Sequence, residues 1–217
     1  VKVAIISGGI SYHNMFRAHG WDVVFDESEA DLICFTGGED VTPALYGEGK
    51  HPYTGNNPSR DKHEQIIFER NKGKKMAGIC RGAQFLHVMC GGSLWQDVDN
   101  HALSKTHECL DVHTGQRVQV TSTHHQMMKD DGSCTIVALA SNSTKKEGCT
   151  IDGDVYAEEG ALGELLDLEV VRHGDDVLCF QPHPEFHGAT STRDYFFELL
   201  DRELNLSVYR ELELEIS

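Results

Sequence analysis

Cys80 stands at the centre of Gly78-Ile79-Cys80-Arg81-Gly82, a G-x-C-x-G stretch between an apolar strand-like run and a segment patterned as a helix. A thiol placed there has the setting of a nucleophile elbow, whose strained backbone needs small neighbours where strand and helix approach, and Gly78 and Gly82 supply them. The helix N-terminus turns free N–H groups and a partial positive charge toward the sulfur, which favours thiolate and later an oxyanion. Taken alone, the stretch fits a buried structural cysteine as well. The second chemistry-bearing segment is Gln181-Pro182-His183-Pro184-Glu185. Its prolines fix φ and push His183 into an extended conformation, so that His183 and Glu185, at i and i+2, project to one face. The carboxylate can then hold the imidazole in one tautomer while the other ring nitrogen takes the thiol proton. By itself this segment also reads as a turn. Together, the two segments make a thiol, a base and an orienting carboxylate, a set suited to acyl transfer through a covalent intermediate.

These side chains need a scaffold that brings positions a hundred residues apart together. Apolar β-rich runs at Val3 to Ser7, Asp22 to Phe25, Leu32 to Thr36 and Met76 to Ile79 alternate with helical patterns, as a mostly parallel sheet flanked by helices requires. Asp61 to Asn71 reads as a solvent-facing crossover helix, and Gly47 to Ser59, rich in Gly, Pro and Asn, as a surface loop. After Cys80, the residues Gly82, Phe85, Leu86, Met89 and Cys90 form one apolar stripe that ends at Gly91-Gly92, predicting a short buried helix. Further strands are expected at Arg117 to Thr121, Thr135 to Ala138, Leu168 to Arg172 and Val177 to Gln181. The turn His173-Gly174-Asp175-Asp176 makes the last two a C-terminal hairpin. A final helix opens at Ser191 and buries Tyr195, Phe196, Leu199 and Leu200.

The chain has 217 residues, 39% of them hydrophobic, and is expected to form one domain over residues 1–217. Nineteen Lys and Arg against 35 Asp and Glu give a net charge of −16, which repels nucleic acid and anionic membranes, so neither is expected as a partner. No apolar stretch has the length of a membrane span, and Val1 to Ser7 lacks the marks of a signal peptide. Seven cysteines without C-x-x-C spacing suggest reduced thiols and a cytoplasmic setting. His101, His107, Cys109 and His113 crowd together, but their spacing matches no zinc signature, so this region reads as a polar surface loop and no metal is expected.

The ordered motifs resemble those of the class I glutamine amidotransferase superfamily, and within it the γ-glutamyl hydrolases, especially the bacterial γ-glutamyl-γ-aminobutyrate hydrolases. The motifs are Thr36-Gly37-Gly38-Glu39-Asp40-Val41 with Pro43 and Tyr46-Gly47, Arg60-Asp61, the elbow with Gln84, Gly91 to Asp97, Ser122-Thr123-His124-His125-Gln126, and His183-Pro184-Glu185. The resemblance implies a flavodoxin-like α/β fold and makes Cys80 the nucleophile, His183 the general base and acid, and Glu185 its orienting partner. It also implies an oxyanion hole from the backbone N–H groups of Arg81 and of the Gly37-Gly38 loop, which otherwise reads as an ordinary strand-ending turn. Gln84, one helical turn beyond Cys80, would meet the polar end of a glutamyl group or else be a solvated helix residue. Ser122, His124 and His125 would lie on the substrate side, or form a plain loop. Pro182 departs from the family pattern, which usually has an aromatic residue before the histidine.

The expected activity is hydrolysis of a small-molecule γ-glutamyl amide through a γ-glutamyl thioester, with no cofactor. The alternative is a glutaminase subunit that supplies ammonia to a separate synthetase, and a homodimer is also left open. A third reading is a binding domain that keeps the pocket without catalysis.

Overall fold

In the computed structural model, which describes residues 1–102 and 105–207, the four N-terminal runs are strands: β1 (Lys2–Ile6), β2 (Asp22–Val24), β3 (Leu32–Phe35) and β4 (Lys75–Ile79). They alternate with α1 (Ile10–Ala18) and α2 (Pro58–Arg70), and α3 (Arg81–Met89) follows β4 directly. Next come β5 (Leu94–Trp95), β6 (Asp97–Val98), β7 (Lys105–Asp111), β8 (Arg117–Ser122), β9 (Met127–Met128) and β10 (Thr135–Ala140). The chain then forms β11 (Lys145–Cys149), β12 (Val155–Glu159), β13 (Asp167–His173), β14 (Val177–Phe180) and α4 (Thr190–Leu204).

Nine strands form the main sheet in the order β2-β1-β3-β4-β14-β13-β10-β7-β8. Neighbours from β2 to β14 pair in parallel, and from β14 onward they pair antiparallel, beginning with the expected β13–β14 hairpin. Alternation along the parallel strands distributes apolar side chains to both faces. Val3, Cys34, Ile79 and Phe180 pack with α1 and α4, and Ala4, Ile33, Met76 and Cys179 pack with α2 and α3. None of the described helices is long and apolar enough to cross a membrane.

Two expectations need correction, and a third gains detail. The α2 helix is not simply solvent-facing: beside Ile67 and Phe68 it buries Asp61 and Glu64, which the apolar periodicity could not reveal. The Gly47 to Ser59 loop is fastened down by the buried Gln96 amide. Its oxygen accepts from the His51 N–H and the Thr54 hydroxyl, and its nitrogen donates to the Gly49 carbonyl. The segment expected as a polar loop after Asn100 contains the seven-residue strand β7. Its Cys109 is buried in the core whereas His113 is largely exposed, so those two side chains part company with His101 and His107.

The end of β7 carries an acid-sensitive tie. Asp111 accepts hydrogen bonds from the Tyr195 hydroxyl at 2.8 Å and Arg202 at 2.6 Å, joining the sheet edge to α4. Burial alone would raise its carboxyl, but Arg202, the Thr114 N–H and Tyr195 outweigh it and hold the group at about 2, below its ordinary 3.8. A depressed folded value contributes stability above pH 3.8 that disappears as pH falls through about 2. Asp111→Asn is therefore expected to cost about 2 kcal/mol near neutrality. Urea titrations of both proteins at a series of pH values should show the gap closing between pH 4 and 2, and a gap that does not depend on pH would refute the tie.

Candidate active site

Cys80 occupies the single residue between β4 and α3, with φ 52° and ψ −112°, a conformation L-residues rarely adopt. The flanking glycines are required by space. A Cβ on Gly78 would lie 2.4 Å from the Gly82 carbonyl, and one on Gly82 would lie 2.2 Å from the Phe35 carbonyl of β3. The Cys80 N–H donates to the Phe180 carbonyl at 2.9 Å, so the elbow is bonded to the strand whose continuation carries His183. Both residues therefore sit at the carboxyl ends of adjacent parallel strands, where open α/β sheets place ligands.

His183 is held from several sides. Its Nδ1 lies 2.7 Å from Glu185 Oε1, its N–H donates to the Thr121 hydroxyl at 2.7 Å, and its ring stacks on Phe186 with centroids 4.3 Å apart. Arg193 of α4 donates to the Pro184 and Phe186 carbonyls, which fixes the loop that follows His183. Burial pulls the imidazole toward neutrality, but the adjacent Cys80 sulfur and the Glu185 carboxylate prevail and raise it to about 10. The Tyr12 hydroxyl also faces Glu185, and its ionisation is pushed up by burial and by that carboxylate. Tyr12 was not found from the sequence, where nothing marks a lone tyrosine on α1 as part of a site.

The Gly37-Gly38 loop is shaped by a residue of the Arg60-Asp61 motif to which the sequence assigned no role. Arg60 of α2 donates to the Thr36 carbonyl at 2.9 Å and the Gly37 carbonyl at 3.0 Å, and pairs with Glu39 and Glu64. With both carbonyls turned to Arg60, the loop can direct N–H groups the other way. The Gly37 N–H is engaged by the Tyr12 hydroxyl at 3.1 Å, which leaves Gly38 as the loop's candidate oxyanion donor. Gly38 has φ 149°, and a Cβ there would come within 1.9 Å of the Arg60 guanidinium. On the opposite side, the Arg81 N–H lies in the first turn of α3, where a helix offers no acceptor.

A cleft of about 510 Å³ opens over this arrangement, lined by Gly38, Cys80, Thr106, Thr121, Thr123, His183 and Phe186. The arrangement supplies a thiol, a paired imidazole and N–H donors around one open space, which is the equipment of acyl transfer. A model of the peptidase C26 family matches residues 27–148, more than half of the chain. The chain belongs to the peptidase C26 family. This family is glutamine amidotransferase-like, and the relatives agree. The glutamine amidotransferase-like protein YvdE of Lactococcus lactis subsp. lactis is 34% identical over 187 residues, covering 76% of this chain and 70% of that protein. Its homolog in Lactococcus lactis subsp. cremoris is 36% identical over 125 residues, 47% of this chain and 65% of its own length. A crystal structure of a glutamine amidotransferase from Thermotoga maritima superposes with a TM-score of 0.58 at 17% identity, over 94% of this chain and 84% of that one. This last likeness is one of fold.

In this peptidase C26 chain, several residues expected on the substrate side point elsewhere. The Gln84 amide is buried and donates to the Gln126 carbonyl and to Gln181, so it braces the site from beneath. Ser122 is buried against His101, and His124 is buried with its Nδ1 on the Gln126 carbonyl. His125 does not reach the cleft lining either; it bridges Asp40 and Asp97 at 3.2 Å each. The Arg81 side chain turns away from the cleft into ion pairs with Asp61 and Glu64. The walls are instead made by threonines. Thr106 and Thr121 are directly opposite each other on β7 and β8, and strand alternation sends their side chains to the cleft while His107 and Ser122 face the other way. An alternation count begun from a correctly placed β7 would have found them.

Proposed function

We propose that the chain hydrolyses γ-glutamyl amides through a thioester on Cys80. The observation that carries this reading is the joint placement of Cys80 and the Glu185-paired His183 on one open cleft. The thiol gives its proton to His183 and the sulfur attacks the γ-carbonyl carbon. The N–H groups of Gly38 and Arg81 stabilise the oxyanion that forms. His183, held by Glu185, returns the proton to the departing amine as the carbon–nitrogen bond breaks, leaving the thioester. Water then attacks with His183 as base, and the carboxylic acid departs as the thiol is restored. The Thr123 hydroxyl, buried at the cleft without a partner among the described residues, is a candidate ligand for the glutamyl group. The partly exposed Phe186 ring offers the amine half of the substrate an apolar surface beside His183.

The test is kcat/KM for glutamine and for a panel of γ-glutamyl amines, with the chain as the only protein. The larger amides are expected to be cleaved faster than glutamine, because contacts to the amine half can be used in the transition state. If the panel is inert and glutamine is cleaved only when a synthetase is added, the chain is an ammonia-supplying subunit. The loop assignment has its own check. Gly38→Ala keeps the N–H but, with a Cβ within 1.9 Å of the Arg60 guanidinium, displaces the loop, and is expected to lower kcat by about 10²-fold, the usual scale for disabling one oxyanion donor. An unchanged kcat would remove Gly38 from the oxyanion hole.

A further inference from the structure

Behind the threonine wall of the cleft, four side chains from different parts of the chain converge in the protein interior. His107 Nε2, His101 Nδ1 and His124 Nε2 lie 3.0, 3.6 and 4.0 Å from the same atom, Oε1 of Glu169. Glu169, His101 and His124 are buried, at 0%, 0% and 4% exposure, and the His107 side chain is 8% exposed. We propose that His101, His107, His124 and Glu169 form a structural site for a divalent transition metal of the zinc class.

Hydrogen-bond accounting is the first argument. Asp167 Oδ2 accepts the N–H groups of Asn142 and Ser143 at 2.7 and 2.9 Å, and its other oxygen is 3.0 Å from the Lys146 ammonium, so Asp167 is an acceptor. His101 Nε2, 3.0 Å from Asp167 Oδ2, therefore carries a proton, which in the neutral ring leaves Nδ1 to present a lone pair. Ser122 Oγ lies 3.1 Å from that Nδ1 but turns its hydroxyl hydrogen to the His101 carbonyl at 2.9 Å, so it does not donate to the lone pair. His124 Nδ1 lies 2.9 Å from the Gln126 carbonyl, which can only accept, so His124 Nε2 is likewise a lone pair. Two imidazole lone pairs and a carboxylate thus face one another away from water. Glu169 Oε2, His124 Nε2 and His107 Nδ1 lack a hydrogen-bond partner among the described residues, and Glu169 Oε1 meets His107 Nε2 at 3.0 Å as an ion pair without an aligned hydrogen bond. Burying that many electron-rich atoms unpaired is costly, and one shared proton cannot satisfy them all, whereas one cation can.

Geometry and chemistry agree. Zinc bonds of 2.0–2.2 Å to nitrogen and oxygen put tetrahedral ligands about 3.3 Å apart, within the range of the three separations above. Three imidazoles and a carboxylate suit zinc better than magnesium or calcium, which take oxygen ligands. The protons on His101 Nε2 and His124 Nδ1, held by a carboxylate and a carbonyl, are the outer partners that orient metal-bound histidines. The ligand atoms of His101, His107 and Glu169 lie within 4.8 Å of one another, and His124, 4.0 Å from the carboxylate, has to move in to become the fourth ligand; the site so filled has no open position, which makes it structural. It would tie β7, β13 and the segments before β7 and after β8 into one unit behind Thr106, Thr121 and Thr123. The expectation of no metal arose because the ligand spacing follows no linear signature: β13 supplies its ligand from about sixty residues away in sequence, and Cys109 and His113 take no part.

The test begins with the wild-type chain, purified without chelator from zinc-supplemented medium. Elemental analysis is expected to give about one zinc per chain, falling at least about tenfold in His107→Ala and Glu169→Gln. Because those variants could fail to fold, the wild-type chain is also stripped with chelator in denaturant and refolded with cobalt(II) or without metal. Refolding with cobalt should give the visible absorption of a four-coordinate centre and a higher Tm than the metal-free chain. Wild-type protein without zinc, without a cobalt spectrum and with one Tm in both conditions would overturn the site. So would zinc retained in full by a folded His107→Ala variant, which would place the metal elsewhere.

Discussion

Cys80→Ala is expected to bring γ-glutamyl amide hydrolysis below detection, with His183→Ala losing about 10⁴-fold in kcat and Glu185→Ala about 10²-fold. The order follows from the geometry. The sulfur makes and breaks the covalent bond, the imidazole moves every proton, and Glu185 acts only through His183 Nδ1. Thiol labelling gives an independent view. Cys34, Cys109, Cys149 and Cys179 are buried, and burial pushes the half-buried Cys90 and Cys134 thiols up to about 11. At neutral pH those two present little thiolate, so brief iodoacetamide treatment followed by peptide mass spectrometry should find Cys80 modified first. Equal, small losses in the His183 and Glu185 variants would make their segment structural. Full activity in Cys80→Ala would end the mechanism.

Arg81→Ala is expected to be the most destabilising single change at the elbow, by about 3–5 kcal/mol. The guanidinium is 2% exposed and pairs with Asp61 and Glu64 of α2, and Glu64 is also held by Arg60 at 2.8 Å. Removing it leaves buried carboxylate charge facing the start of α3, with Arg60 still paired to Glu64 but Asp61 held by the neutral Thr42 N–H and hydroxyl. For a chain of this size the loss corresponds to roughly 10 °C in Tm. The remedy identifies the cause. Adding Asp61→Asn and Glu64→Gln to Arg81→Ala should recover part of the lost stability, because the uncompensated charges are gone even though the packing gap remains. A Tm change under about 2 °C in Arg81→Ala would show that the network contributes little. The substrate preference is expected to survive in whatever protein folds, since the side chain does not line the cleft.

The sequence was most informative where chemistry and backbone constraint coincide. Cys80 between two glycines, and His183 between two prolines, each combine a reactive side chain with a restricted conformation, and the structure brings them to one cleft. It was least informative where polar side chains are satisfied by one another inside the fold. Gln84, Ser122 and His124 have the types expected of substrate ligands, yet each turns inward to a partner in the interior. The β7 strand, Lys-Thr-His-Glu-Cys-Leu-Asp, was hidden because its inward face carries His107 and Asp111 as well as Cys109, and so lacks an apolar alternation. The fold class needed none of these particulars: the first four strands and the last hairpin are apolar enough to be read directly.

The bond from the Cys80 amide to Phe180 places β14 beside β4, with nearly a hundred residues of chain emerging from the ribosome between them. During synthesis the elbow sequence is therefore made well before its base, and β4 waits with an open edge until the final hairpin arrives. Contacts so distant in sequence form late and slowly. The nascent thiol is accordingly without its imidazole while the segment from Cys80 to His183 is made, and chemical competence should appear only when that last strand closes the middle of the sheet. A pulse-labelled, stalled chain released before Val177 should bind a chaperone and show no fast-reacting cysteine, whereas one extended past α4 should show both compactness and the reactive thiol.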